Sequence, residues 1–286
     1  MACKEITIDE LKICYVADAE ILRPMKETEI GGYLNLFGYR LHRVVNDRFK
    51  YFFDITYHGK MVAQLRFGFY TDQDETNTHV YFKVLNEILY RTEALASILL
   101  LPERLGMVFN NFTALDLALD TPCNVPSMIK RLMRRKDVTT IINGKAIKDR
   151  KQTLCGVSFE YSTTLDRLNN PTITFKQKKA IANKSEGITV QTYNKKAEVE
   201  NRHPEKQYIL DSKDNPRHLY RLEVRLHYQE LKDYFLSKKI PATVDILNDQ
   251  ELLWEMFCYH LASVIRFTHG RHRIPWDFLL ESIGRV

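Results

Sequence analysis

Cysteine is sparse and scattered in this chain. Cys3, Cys14, Cys123, Cys155 and Cys258 form no C-x-x-C and have no local histidine at zinc-ligand spacing. That argues against a disulfide framework and a zinc ribbon, and reads as reduced thiols in a cytosolic protein. No apolar run approaches the ~20 residues needed to cross a bilayer. The opening Met1-Ala-Cys-Lys-Glu5 lacks the basic-then-apolar order of a signal peptide. A soluble, cytoplasmic protein without membrane contact is expected. Walker A, G-x-G-x-x-G and G-x-S-x-G patterns are missing, as are repeats, low-complexity tracts and an evident linker.

What is there is ordinary in bulk and uneven in detail. The 286 residues, 44% hydrophobic and 27% charged, can bury a full core. The balance of 42 Lys+Arg against 36 Asp+Glu is only mildly basic. Its distribution says more: residues 130–151 hold nine Lys/Arg against two Asp, a concentration suited to a polyanion.

Along the chain, residues 11–16, 33–45, 51–57, 61–69 and 79–84 read as strands, with Tyr57-His-Gly-Lys60 as a hairpin turn. Residues 86–100 turn helical, with Pro102 and Gly106 marking the end. Residues 112–120 return to strand. Residues 126–136 read as a short helix with Asn124 as N-cap. On it Met128, Ile129, Leu132 and Met133 oppose Lys130, Arg131, Arg134 and Arg135, a basic amphipathic pattern. Asn143-Gly144 is the strongest hairpin signal. A strand over 156–161 leads into a polar loop over 166–187. Residues 201–217 form another polar insert, 220–227 alternate cleanly, and 249–266 make a long helix with His260 in its apolar arc. His269-Gly-Arg-His-Arg273 reads as a basic cluster ending that helix. The expected fold is α+β: one domain, 1–286, with a large, mostly antiparallel sheet and helices on one face. Its parts are β-rich to 110, motif-bearing from 111 to 228, and helical beyond.

Three stretches put charge on one face of that sheet. In Leu115-Asp-Leu-Ala-Leu-Asp120, the leucines point to the core while Asp116, Ala118 and Asp120 line the other face, roughly 7 Å apart. Paired carboxylates with no Lys or Arg nearby on their strand repel, and so call for a cation. In Gly187-Ile-Thr-Val-Gln-Thr-Tyr-Asn-Lys195, Tyr193 and Lys195 share a face. A phenol beside an ammonium suits phosphoryl transfer, as nucleophile and charge clamp. In Tyr220-Arg-Leu-Glu-Val-Arg-Leu226, Arg221, Glu223 and Arg225 point away from the core. There Glu223 is a third candidate metal ligand, and the arginines can grip phosphates. The bland readings are packed tyrosine, solvated aspartates and a cross-strand salt-bridge ladder.

In this order the three stretches, with Glu198 just beyond the second, resemble the replication initiation factor family. These are the rolling-circle Rep proteins of plasmids, related to relaxases of some conjugative elements. The resemblance spans residues 112–226. It implies metal-dependent nicking and rejoining of one DNA strand at an origin, through a 5′-phosphotyrosine on Tyr193. It also implies acidic positions at Asp116, Asp120 and Glu223 holding Mg2+ or Mn2+, and basic positions at Lys195 and Arg221. The chain departs from the family pattern at Ala114, where a basic residue is usual, and at Tyr161-Ser-Thr-Thr, where Gly-Ser and a basic residue are usual. Tyr161 stands as a second-choice nucleophile. There is no His-hydrophobic-His triplet, so carboxylates must hold any metal.

The expected partners are origin DNA, as a single-stranded or hairpin nick site, a host helicase and polymerase, and in some assemblies a second copy of the chain. DNA contacts are expected from Arg221, Arg225, Lys130, Arg131, Arg134 and Arg135. Two other readings stay open: a non-catalytic DNA-binding protein, and a metal-dependent nuclease in which water attacks.

Overall fold

A computed structural model describes residues 5–71, 78–147, 161–165, 171–177 and 187–283. The chain is α+β, with a large antiparallel sheet and a smaller one. It divides into two compact units: Ile8–Leu115 with Phe235–Asp245, and Met1–Thr7 with Asp116–Tyr234 and Ile246–Val286.

The first unit contains β1 (Ile6–Val16), α1 (Ala19–Glu27), β2 (Tyr33–Leu36), β3 (Tyr39–Arg43), β4 (Phe49–Tyr57), β5 (Lys60–Phe69) and β6 (His79–Val84). After these come α2 (Asn86–Leu89), α3 (Thr92–Arg104) and the first half of β7 (Val108–Thr121). The strand order is β7-β1-β6-β5-β4-β3-β2. Ile13, Phe53, Ile55, Leu65, Phe67, Val80 and Phe82 are buried at alternate positions, which fixes the register. The expected single run over 33–45 is two strands. Phe37 and Gly38, both at positive φ (53° and 83°), make a two-residue hairpin loop between them. The expected helix over 86–100 is also two elements, and Pro102 lies inside the second. Burial of Leu101 and Pro102 outweighs the hydrogen bond that proline forfeits.

The second unit takes the rest of β7, then α4 (Val125–Arg134), β8 (Val138–Ile142), β9 (Lys145–Ala146), β10 (Tyr161–Leu165), β11 (Pro171–Lys176), β12 (Thr189–Asn194), α5 (Lys195–Arg202), α6 (Gln207–Asp211) and β13 (Tyr220–His227). The chain continues through α7 (Tyr228–Lys238), which belongs to this unit only as far as Tyr234, and then α8 (Gln250–Val264), β14 (Ile265–His269), β15 (His272–Ile274) and α9 (Trp276–Ile283). Its strands run β10-β11-β12-β13-β7, and a small sheet runs β15-β14-β8-β9. Asn143 and Gly144 adopt the positive φ values (50° and 80°) that their hairpin requires.

Several expectations for this unit are corrected. The polar stretch 201–217 includes helical turns, because Val199, Leu210 and Leu219 close a small apolar cluster. Part of the expected loop over 166–187 is β11, paired to β12; residues 166–170 and 178–186, and the 156–160 part of the expected strand, lie outside the described residues. The last long helix stops at Val264, and Ile265 and Arg266 already belong to β14. His269–Arg273 is therefore a strand-to-strand turn and not a helix end. Among the described residues no helix is long and apolar enough to cross a membrane. Cys14, Cys123 and Cys258 form no disulfide, and Cys3 and Cys155 lie outside the described residues.

Candidate active site

The charged side chains lie on three adjacent strands of the second unit, β12, β13 and β7. Antiparallel pairing sets Gln191 opposite Glu223 and Tyr193 opposite Arg221. Alternation then places Thr189, Gln191 and Tyr193 on the same face as Arg221, Glu223 and Arg225. That face was expected to be open. Instead Asp116 and Tyr193 are buried, and Arg221 and Glu223 are each 0% exposed. Residues 114–119 of β7 are buried on both faces of the strand.

Two networks occupy this covered face. In the first, the Tyr193 hydroxyl donates to Glu223 Oε2 at 2.9 Å. This is a diagonal contact, within reach of an aromatic side chain across a pair of strands. Arg225 Nε donates to the other Glu223 oxygen at 2.5 Å and stands 3.6 Å from Asp116 Oδ2. Burial pulls the Arg225 pKa down, but Glu223, Asp116 and Tyr193 outweigh it, and the net shift is upward. Arg225 therefore stays charged. With 43% of its side chain exposed, it forms the open edge of the cluster.

The second network is closed. Arg221 grips Asp120 with two parallel hydrogen bonds of 2.7 Å, Nε to Oδ1 and a terminal nitrogen to Oδ2. Their side chains are 0% and 2% exposed. Such a fork-on-carboxylate pair is strong where water is excluded. Asp120 is thus committed to Arg221, and Arg221 is a buried structural cation, not one offered to DNA as expected from the sequence.

Lys195 is not on the strand. Asn194 caps a helix by accepting from the Ala197 amide at 3.0 Å, so Lys195 becomes the first residue of α5. Its ammonium still lies near Tyr193, 5.6 Å from the ring centroid. It is buried and bonded to Glu198 Oε2 at 2.6 Å, one helical turn on. That pair answers the proximity of Lys195 and Glu198 in sequence, at the i,i+3 spacing of a helix. Sequence reasoning also missed Gln191, whose amide donates to Thr174 Oγ1 at 3.1 Å and ties β12 to β11 beside the tyrosine. The backbone of Tyr161 pairs with Phe175 at the edge of this sheet, two strands from Tyr193; its side chain lies outside the described set.

The three expected acidic ligands do not meet at one point. Asp116 and Glu223 converge on one point, now filled by the Arg225 guanidinium, whereas Asp120 is directed to Arg221. Hard oxygen donors of this kind suit Mg2+, which takes one or two carboxylates together with water and substrate phosphates. Among the described residues no group of three His, Cys, Asp or Glu side chains gathers at one point.

The basic helix α4 packs against β8, β11, β12 and β13. Asn124 caps it by accepting from the Ser127 amide at 3.0 Å and donates to the Tyr220 hydroxyl at 3.2 Å, which fixes the helix to the head of β13. Ile129, Leu132 and Met133 are buried, Arg131, Arg134 and Arg135 are exposed, and Lys130 is half-buried. No family model and no curated protein matches this chain.

Proposed function

We propose that this protein nicks and rejoins one DNA strand, as a rolling-circle replication initiator of a plasmid or mobile element, by forming a 5′-phosphotyrosine on Tyr193. The observation that carries the reading is the hydrogen bond from the Tyr193 hydroxyl to Glu223 within a cluster that also holds Asp116 and Arg225. A structural tyrosine is most often satisfied by backbone or water, whereas this one is set on a carboxylate able to take its proton.

The phenol is a poor nucleophile on its own. With a pKa of ~10 it is about one part in a thousand ionised at pH 7, equivalent to roughly 4 kcal/mol of barrier. As Tyr193 Oη attacks the scissile phosphorus, Glu223 Oε2 takes the phenolic proton as general base. The P–O3′ bond breaks, and the proton passes from Glu223 to the departing oxygen, leaving a free 3′-hydroxyl. Attack by such a hydroxyl on the phosphotyrosine, with the proton returning along the same path, reseals the strand. Arg225 is the cation placed to meet the phosphate at the open edge, while Lys195 beside the ring favours developing phenolate. Asp116 and Glu223 would hold a Mg2+ or Mn2+ ion once the Arg225 guanidinium leaves them for the phosphate, and the ion would polarise the scissile phosphate.

The protein would act in the cytoplasm, with a polymerase extending the 3′-hydroxyl and a helicase unwinding ahead of it. The test is the end to which protein becomes attached. A 3′-labelled single strand should leave its label on the protein in a denaturing gel, and a 5′-labelled strand should not. Cleavage without attachment of either label would instead assign the attack to water.

A further inference from the structure

The hairpin β14–β15 and the helix α4 are far apart in sequence and meet in the fold. In the small sheet, β14 lies directly beside β8, with His269 opposite Val138 and Thr268 opposite Thr139. β8 follows α4 through the turn at 135–137. At that turn Arg135 pairs with both oxygens of Asp137, Nε to Oδ1 at 3.0 Å, and His269 Nε2 approaches Asp137 Oδ2 at 3.6 Å from the hairpin side. The Arg135 hydrogen bond holds the Asp137 carboxyl down at about 2. Asp137 thus lies between two basic elements that the β8–β14 pairing brings together.

Around that aspartate the charge is one-sided. Residues 130–145 and 265–274 contain nine Lys/Arg, and Asp137 is the only acid in either stretch. Arg131, Arg134, Arg135, Lys136, Lys145, Arg271 and Arg273 are all exposed. The hairpin is anchored: the Trp276 indole donates to the Ile265 carbonyl at 2.8 Å and its ring packs on buried Phe267. Holding the hairpin backbone in place lowers the ordering cost of binding.

We propose that α4 and the β14–β15 hairpin together form one binding surface for the phosphates of double-stranded DNA. It would grip the duplex flanking the single strand delivered to Tyr193. The proposal rests on the DNA reading for its partner but not on the tyrosine chemistry. Duplex is favoured over single strand by composition. Single-strand binders stack bases on exposed aromatic rings. The two stretches contain one Phe, Tyr or Trp ring, Phe267, and it is buried. What they expose is cationic, as phosphate contact requires.

The test uses the full chain carrying Tyr193→Phe, so that no covalent adduct complicates equilibrium binding. The probes are a labelled 30-base-pair duplex of arbitrary sequence and the same strand unpaired. Arg271→Ala with Arg273→Ala should reduce the slope of log K against log salt on duplex by about 0.9 per lost phosphate contact, and change single-strand binding less. Arg271→Lys with Arg273→Lys, which keeps the charge, should restore the slope. An unchanged duplex slope in the alanine variant, with its circular dichroism intact, overturns the proposal. So does an alanine variant whose loss is confined to the single strand.

Discussion

Tyr193 and Glu223, one on β12 and the other on β13, are joined by a hydrogen bond from the phenol to a carboxylate that is 0% exposed. A buried carboxylate needs compensation, and Glu223 has it from Tyr193 on one oxygen and Arg225 on the other. The same pair that stabilises the fold thereby aims a proton acceptor at the one hydroxyl proposed to react.

Glu223→Gln keeps the shape and an oxygen to accept from Tyr193 but loses the base. Single-turnover adduct formation should fall by about 10²–10⁴, with DNA binding unchanged within a few-fold. A rate within twofold of wild type would remove Glu223 from the chemistry.

The Asp120–Arg221 pair is predicted to act on stability. Asp120→Ala removes both hydrogen bonds of this pair and the counter-charge from the buried Arg221 guanidinium, and should cost about 3–5 kcal/mol in urea unfolding. Replacing both by apolar residues of similar volume should recover most of that loss. If Asp120→Ala is as stable as wild type and only nicking is lost, Asp120 is a ligand and not a structural anion.

How much of this was legible in the sequence depends on what alternation encodes. The clean period of two in residues 220–227 located β13 to the residue, and the cap at Asn124 with its one-sided charge located α4. Alternation says which face a side chain takes, not whether that face is covered. The expected open row of charges therefore proved buried except at Arg225. Nor does it pair residues 101 positions apart, so the commitment of Asp120 to Arg221 was invisible. Lys195 was misplaced for a local reason: a capping Asn ends the strand one residue earlier and starts a helix. The Asn194 side chain, followed by Glu198 four residues later, was the available signal.

The proposed ion at Asp116 and Glu223 makes adduct formation metal-dependent. EDTA should abolish adduct formation and Mn2+ should restore it, while Asp116→Asn should raise the Mn2+ concentration needed for half-maximal rate at least tenfold. Full activity in EDTA would leave Arg225 as the only cation at the phosphate.

The exposed arginines of α4 should contribute affinity without sequence preference. Replacing Lys130, Arg131, Arg134 and Arg135 by alanine should weaken binding to all sequences alike and reduce the salt slope by about 0.7–0.9 per lost contact. A plot of log K against log salt with unaltered slope would take this helix out of the interface.

The most direct test is the tyrosine. Tyr193→Phe removes one oxygen and keeps the buried ring, but takes a donor from the buried Glu223 carboxylate, so stability should fall by about 1.5–3 kcal/mol with the fold intact. Wild type and variant would be incubated with Mg2+ or Mn2+ and a 3′-labelled pool of random single strands, then run on a denaturing gel. Wild type should carry label into the protein band, and peptide mapping should find the nucleotide on Tyr193. The Tyr193→Phe protein should bind the same DNA and carry none. An adduct that persists in Tyr193→Phe and disappears in Tyr161→Phe would contradict the account.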